Sequence, residues 1–398
     1  MNSIVLYTQE IDNLNEAVEE LFEQAKDFEF KQNSVALVFC EEDTEYPKLY
    51  EKLKEKWNIP FIGSTAMAMM NDKEGFCNVG ISVLLLSADD CTFEAGISGK
   101  INLHNYEKEI SEVYKPLSDK LNNEEKMVIA YSVIATSDDA VCGDDLLNAI
   151  STVNPNVPIF GGLASDNFNF TGNRIFFNET ESSDGIVMLL VSGNVKPKYV
   201  SINSIENRAM FSYEITESKG NRVFKLGEYS FIDILGKENI TTDKSDVLGD
   251  FLLSPFVVSK KMPNGEDVES ARNLSGLNHE DGSGLFLGAM PEGSILGVGI
   301  INREDVQKSV KTALSKTLDD LDESEYTYST FFCNTCAARF LALASNTDAE
   351  ANVCLEAFPK GKAFFGLYAY GEFCPVKGSS GKEEYNMFHN FTFTIVAF

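Results

Sequence analysis

Three stretches of the chain repeat one order of elements: an apolar strand, a helix, a second apolar strand and then a glycine. The first runs from Val35 to Gly63, the second from Met127 to Gly161 and the third from Tyr326 to Gly366. A further β-prone run follows each, starting at Gly80, Gly185 and His389, as expected of strands buried on both faces. A chain written this way is expected to fold as α/β, with α+β as the alternative, in two related parts built from repeated modules on mixed, largely buried sheets. Glycine where a strand ends lets the backbone turn sharply or come close to a ligand. Ligands of α/β sheets sit beyond the carboxyl ends of strands. The glycine ends are therefore where a site is expected.

At 398 residues the chain exceeds one ordinary core, so two domains are expected. The texture changes after Lys219-Gly220-Asn221, where strands shorten, charge rises and turn signals such as Pro263-Asn264-Gly265 appear. The boundary is placed near 220, giving parts 1–220 and 221–398, with the apolar final strand in the centre of a sheet. A formal charge of −28 repels phosphates and anionic surfaces, so no nucleic acid is expected, and no apolar run approaches the roughly 20 residues of a transmembrane helix, so no membrane insertion is expected. The N-terminus has no basic region and reads at once as a strand, which points to a cytoplasmic protein with reduced cysteines.

The motifs at the glycine ends resemble those of the FIST family, two-part intracellular signal-transduction sensors. The first part matches at Gly63-Ser64-Thr65, at the run from Gly80 and at Gly161-Gly162-Leu163-Ala164-Ser165-Asp166. The second matches at Cys336-Ala337-Ala338-Arg339, at Gly366-Leu367-Tyr368-Ala369-Tyr370-Gly371-Glu372 and at His389-Asn390-Phe391-Thr392. The resemblance implies a sensory domain that binds a small ligand, with amino acids as one suggested class, and that is not an enzyme. FIST domains often join histidine kinases, chemotaxis receptors or cyclic-dinucleotide enzymes. No such segment follows Phe398, so the output is expected on a separate protein such as a histidine kinase or chemotaxis component. No cofactor is expected, with a haem-based nitric-oxide sensor as the alternative reading.

The expected ligand-binding set is Thr65, Gly161, Gly162, Asp166, Arg339, Tyr370, Glu372, His389 and Asn390. Arg339, near a helix start, either clamps an anionic group bidentately or pairs with a local acid. Asp166 either meets a ligand amine or caps a turn through its own backbone. Glu372, if buried, needs a partner. His389 can hydrogen-bond a ligand, ligate haem or be a satisfied core histidine, whereas His104 and His279 read as bystanders. Thr65 offers a hydroxyl or an amide, or serves the turn. Cys333-Asn334-Thr335-Cys336 has CxxC spacing, but a zinc site would need two more ligands and no second CxxC exists. An amino acid or similar zwitterion suits this set, and acid–base catalysis is the weaker alternative because no nucleophile motif is present.

Overall fold

Each of the three repeats forms a parallel strand pair, joined by one helix in the first two and by two helices, Ala337–Leu343 and Ala349–Ala357, in the third. In the computed structural model, which describes every residue except 135–140, 206, 241–250, 252, 263–264, 323–325 and 379–383, the pairs are Asn33–Cys40 with Phe61–Thr65, Glu125–Ser132 with Ile159–Leu163, and Thr330–Cys336 with Ala363–Ala369. Their registers are equivalent: Val38 faces Gly63, Ala130 faces Gly161 and Cys333 faces Gly366. The repeat glycines thus lie inside their strands, not at the strand ends expected from the sequence. The reason is close approach: a Cβ on Gly63 or Gly161 would run into the carbonyl of Val38 or Ala130, and one on Gly366 would press on Met70.

The helices form where apolar spacing and caps coincide. Leu14–Gln24 buries Ala17, Val18 and Leu21 on one face and is capped by the Asn13 side chain, which accepts from the amides of Asn15 and Glu16. Tyr46–Lys56 opens with a proline in its first turn and buries Tyr46, Leu49, Tyr50 and Leu53.

Each parallel pair sits in a six-stranded mixed sheet of the same plan. The first sheet runs Asn2–Thr8, Ile81–Ala88, Asn33–Cys40, Phe61–Thr65, Ile175–Phe177, Thr180–Ser182. The second runs Cys91–Ile97, Ile186–Gly193, Glu125–Ser132, Ile159–Leu163, Glu372–Lys377, Glu384–His389. The third runs Lys198–Asn203, Thr392–Ala397, Thr330–Cys336, Ala363–Ala369, Met69–Asn71, Gly75–Cys77. The last two strands of every sheet are a hairpin lent by another module. The first module's hairpin completes the third sheet, the second's completes the first, and the third's completes the second. Strand exchange therefore runs in a closed cycle. The run from His389 is also broken: His389 ends one strand, Asn390 and Phe391 turn, and Thr392 begins the next.

The third module carries an insert. Where the first two modules cross from their first strand to their first helix within a short loop, the third inserts strands from Asn207–Lys219 to Ile295–Ile300 before helix Arg303–Asp322. These strands form a fourth sheet with its own core, including Ile215, Phe231, Phe256, Phe286 and Leu296.

Candidate functional site

The carboxyl ends of the three parallel pairs meet on a common axis. One residue past each register point stand Phe39, Tyr131 and Asn334. The rings of Phe39 and Tyr131 lie 5.2 Å apart. The Tyr131 hydroxyl donates to Asn334 Oδ1 at 3.0 Å, and Asn334 Nδ2 donates to the Gly161 carbonyl at 2.7 Å. Burial pushes the Tyr131 phenol well above its ordinary value, so it stays a donor. One turn further on, Ser165 binds all three modules: its amide reaches the Thr65 carbonyl at 3.3 Å, its Oγ accepts from Met67 N at 3.0 Å and donates to the Tyr368 carbonyl at 2.5 Å. Tyr370 N donates to the Leu163 carbonyl and Tyr368 N to the Ala68 carbonyl, each at 3.0 Å, so the remaining corners of the cycle close through backbone.

Asp166 organises the loop that leaves this ring. Its two carboxylate oxygens accept the amides of Asn169, Phe170, Thr171 and Gly172 at 2.8–3.0 Å, and Tyr370 donates to it as well. Burial raises its carboxyl, but the Tyr370 hydroxyl and the amides of Phe170, Gly172 and Thr171 outweigh that and hold it below the ordinary value. Phe168 and Phe170 take positive φ values of 62° and 58° in this loop, and Phe170 stacks on Tyr370 at 4.8 Å. Thr65 joins the same loop, its Oγ1 accepting from Arg174 N at 3.0 Å.

Glu372 stands next in line. It faces Gly162 across one strand pairing and His389 across the other. The pairing needs bare backbone, since a Cβ on Gly162 would strike the Gly371 carbonyl. Glu372 is fully buried, and neither carboxylate oxygen has a partner in hydrogen-bonding geometry. Its carboxyl is pushed well above the ordinary range by burial; the Arg339 charge, the Cys336 thiol and the Thr392 amide act against that without overcoming it. The Cys336 thiol is pushed up in turn, first by burial and then by Glu372. Asn390 Oδ1 is likewise buried without a partner. His389 is buried with Nε2 3.1 Å from the Cys374 carbonyl, and burial draws it down to about 4, so the ring is neutral.

Arg339 is occupied within the protein. Nε and Nη2 donate to Glu350 Oε1 at 3.1 and 2.5 Å, Nη2 also to the Val306 carbonyl at 3.3 Å, and Nη1 to Ser309 Oγ at 2.9 Å and to Ser204. A guanidinium has five N–H donors, and all five are used. The pairing with a local acid is thus the arrangement present.

The structure brings Thr65, Gly161, Gly162, Asp166, Tyr370, Glu372, His389 and Asn390 into one continuous region, with Arg339 behind it acting on Glu372 through space. His104 and His279 are exposed elsewhere. Cys333 and Cys336 share one strand but belong to different cores, three residues apart and on opposite faces. The axial roles of Tyr131, Ser165 and Asn334 escaped sequence reasoning. The available signals were Asn334, an amide inside a buried strand, and the place of Ser165 in the Gly161–Asp166 motif.

Residues 34–228 match the FIST N domain and residues 233–375 the FIST C domain. No curated protein matches the chain. Among solved structures, a cyanuric acid hydrolase from A. caulinodans is 8% identical over 52% of this chain and 72% of its own, with a TM-score of 0.31. A cyanuric acid hydrolase described as an innovation by structural concatenation is 10% identical over 100% and 99%, with a TM-score of 0.37. A chorismatase is 8% identical over 100% and 98%, with a TM-score of 0.40. Likeness at this level implies nothing about chemistry. No helix among the described residues is long and apolar enough to cross a membrane. With the two domain matches spanning most of its length, the chain belongs to the FIST family, whose domains are signal-transduction sensors.

Proposed function

We propose that this protein is a cytoplasmic sensory module that binds a small amine at Glu372 and passes the change to a separate signalling protein, such as a histidine kinase or chemotaxis component. The observation that carries this reading is a set of three buried oxygens, both of Glu372 and Oδ1 of Asn390, none of them in good hydrogen-bonding geometry with a donor among the described residues, while the Cys336 thiol and the Thr392 amide near Glu372 do not offset its burial. A buried acceptor without a donor is costly. An ammonium group supplies three donors and a compensating charge. Amino acids belong to this ligand class through their α-ammonium group. A zwitterion would find its carboxylate partner among backbone amides, because Arg339 has no donor to spare. Binding rather than turnover is favoured by the state of the nucleophiles: Ser165 Oγ is engaged on both sides and the Cys336 thiol is held protonated.

The insert supplies the moving part. Its Val257 and Ala271 share a buried cluster with Cys336, Ala338 and Phe391, so it covers the Glu372 region. A ligand that enters there alters how the insert sits, and a partner reads that difference.

The test is a thermal-shift and calorimetric screen of amino acids, carboxyl-free amines and amine-free carboxylates. Amine-bearing compounds should stabilise the protein, by about 2.7 kcal/mol at 100 times Kd. Glu372→Gln should weaken them at least tenfold. Stabilisation by amine-free carboxylates alone, or by none of the three classes, would sink the assignment.

A further inference from the structure

A concavity lies at the amino end of the first module. It is bordered by Asn33 and Pro60, at the amino ends of the parallel strands, whereas Glu372 lies toward the carboxyl-end region. Its volume is about 650 Å³, within the range of small-molecule sites. Phe22 and Phe30 furnish exposed aromatic faces, the largely buried Trp57 contributes to the lining, and Lys26, Lys31 and Lys56 are the charged residues on its wall. In a chain of net charge −28, the wall itself carries three ammonium groups and no carboxylate, the glutamates that pair with them lying outside it.

The groove is built before any ligand arrives. The segment forming one wall is pinned by Lys31 N on Ser87 Oγ at 2.6 Å, Gln32 N on Asp89 Oδ1 at 3.0 Å and Asn33 Nδ2 on the Cys91 carbonyl at 2.9 Å. Across it, Lys56 Nζ sits 4.7 Å above the Phe22 ring, which lies 6.2 Å from Trp57. Phe22 and Phe30 stay 37% and 38% exposed, apolar area left uncovered on the surface of the chain. The lysines pair with Glu23, Glu29 and Glu19, whose side chains are 64–74% exposed. Ion pairs of that kind contribute little, so an incoming anion can displace them.

We infer that this groove is a second binding site, for a small planar aromatic anion whose ring lies among Phe22, Phe30 and Trp57 while its acidic group meets the three lysines. Size and charge together select this class. An aliphatic anion leaves the aromatic faces uncovered, and a neutral arene leaves the ammonium groups to solvent.

Trp57 is the only tryptophan, so its emission reports on this groove alone. The full chain is titrated with naphthalene-2-sulfonate, 2-naphthalenemethanol and hexanesulfonate, following Trp57 fluorescence and heat. Naphthalenesulfonate should give a saturable change, with the other two at least tenfold weaker. The Lys31→Gln/Lys56→Gln double variant should weaken it at least fivefold, as should Phe30→Ala, in proteins whose melting matches the parent. Equal binding of the neutral or aliphatic probe, no saturable signal into the millimolar range, or variants that bind unchanged would overturn the proposal. So would failure of the small anion where an acidic aromatic peptide binds, since the groove would then be a protein-docking surface.

Discussion

A carboxyl group that loses water without gaining enough compensation is held neutral, and Glu372 is such a group: burial outweighs the Arg339 charge, the Cys336 thiol and the Thr392 amide. Its folded-state value lies above its ordinary 4.5, so the native chain holds that proton more tightly than the unfolded one. Stability from this group is therefore fully present below the unfolded value and is lost as pH rises toward the folded one. Replacing it by the neutral isostere removes that loss. Glu372→Gln should leave stability nearly unchanged at pH 4 and raise it by about 1–3 kcal/mol at pH 8, the scale of an unsatisfied buried polar group. Urea unfolding at both values measures it. Equal destabilisation at both would mean that the carboxyl is a satisfied structural group, and the amine site would fall with it. Other residues were only half legible in the sequence. The glycines of the repeat marked the region, because glycine inside a strand signals close backbone approach. What Arg339 and Asp166 bind was not legible, because their partners depend on packing: Arg339 reaches Glu350, Ser204, Ser309 and Val306 together only when the third module folds.

At the scale of elements, the loop after Ser165 is held by one side chain. Asp166 accepts four consecutive amides, and with them it sustains left-handed backbone at two phenylalanines, a conformation costing roughly 1–2 kcal/mol at each such residue. Asp166→Ala should cost about 2–3 kcal/mol, from charge-assisted hydrogen bonds, and Tyr370→Phe about 1 kcal/mol. Because Tyr370 donates to that carboxylate, the double variant should lose less than the sum, with a coupling of about 0.5–3 kcal/mol. Additive losses would show that the two act separately. Asp166 also titrates below its ordinary 3.8, so its contribution exists above that value and fades as pH falls through the folded one; the alanine variant should lack this acid-range loss. The strand–helix–strand modules were readable from periodicity because buried parallel strands are continuous apolar runs. The exchanged hairpins were not. Met69–Asn71 and Gly75–Cys77 are three residues each, and their partner Ala363–Ala369 lies far along the chain, where no local signal reports pairing.

For the whole molecule, cyclic exchange of hairpins means that no sheet is complete without another module, so the three sheets should unfold together. The insert is different. It has a separate core, and its contacts with the rest include the cluster around Cys336, the hydrogen bond from Tyr385 to Glu266 and the Arg272–Asp144 ion pair. Arg272, 2% exposed, donates to both oxygens of Asp144 at 2.9 and 3.2 Å and to the Phe388 carbonyl at 3.0 Å. Asp144, in the first turn of helix Gly143–Val153, also accepts Ala289 N at 2.8 Å. Removing one partner of such a pair strands the other charge, at about 3–5 kcal/mol, whereas an apolar replacement of both is close to neutral. Asp144→Ala should therefore be destabilised, and Asp144→Leu with Arg272→Met should recover most of the loss. If the pair is the latch of the insert, the single variant should unfold in two steps. Hydrogen exchange should speed first in Phe256–Lys261 and Ile295–Ile300 while Asn33–Cys40 and Thr330–Cys336 stay protected. A single transition with exchange rising evenly in all four strands would show instead that contacts other than the pair join insert to core. In that case ligand entry at Glu372 could not proceed by lifting the insert, and the signal would have to pass through the hairpin Glu372–Lys377 and Glu384–His389, which the third module lends to the second.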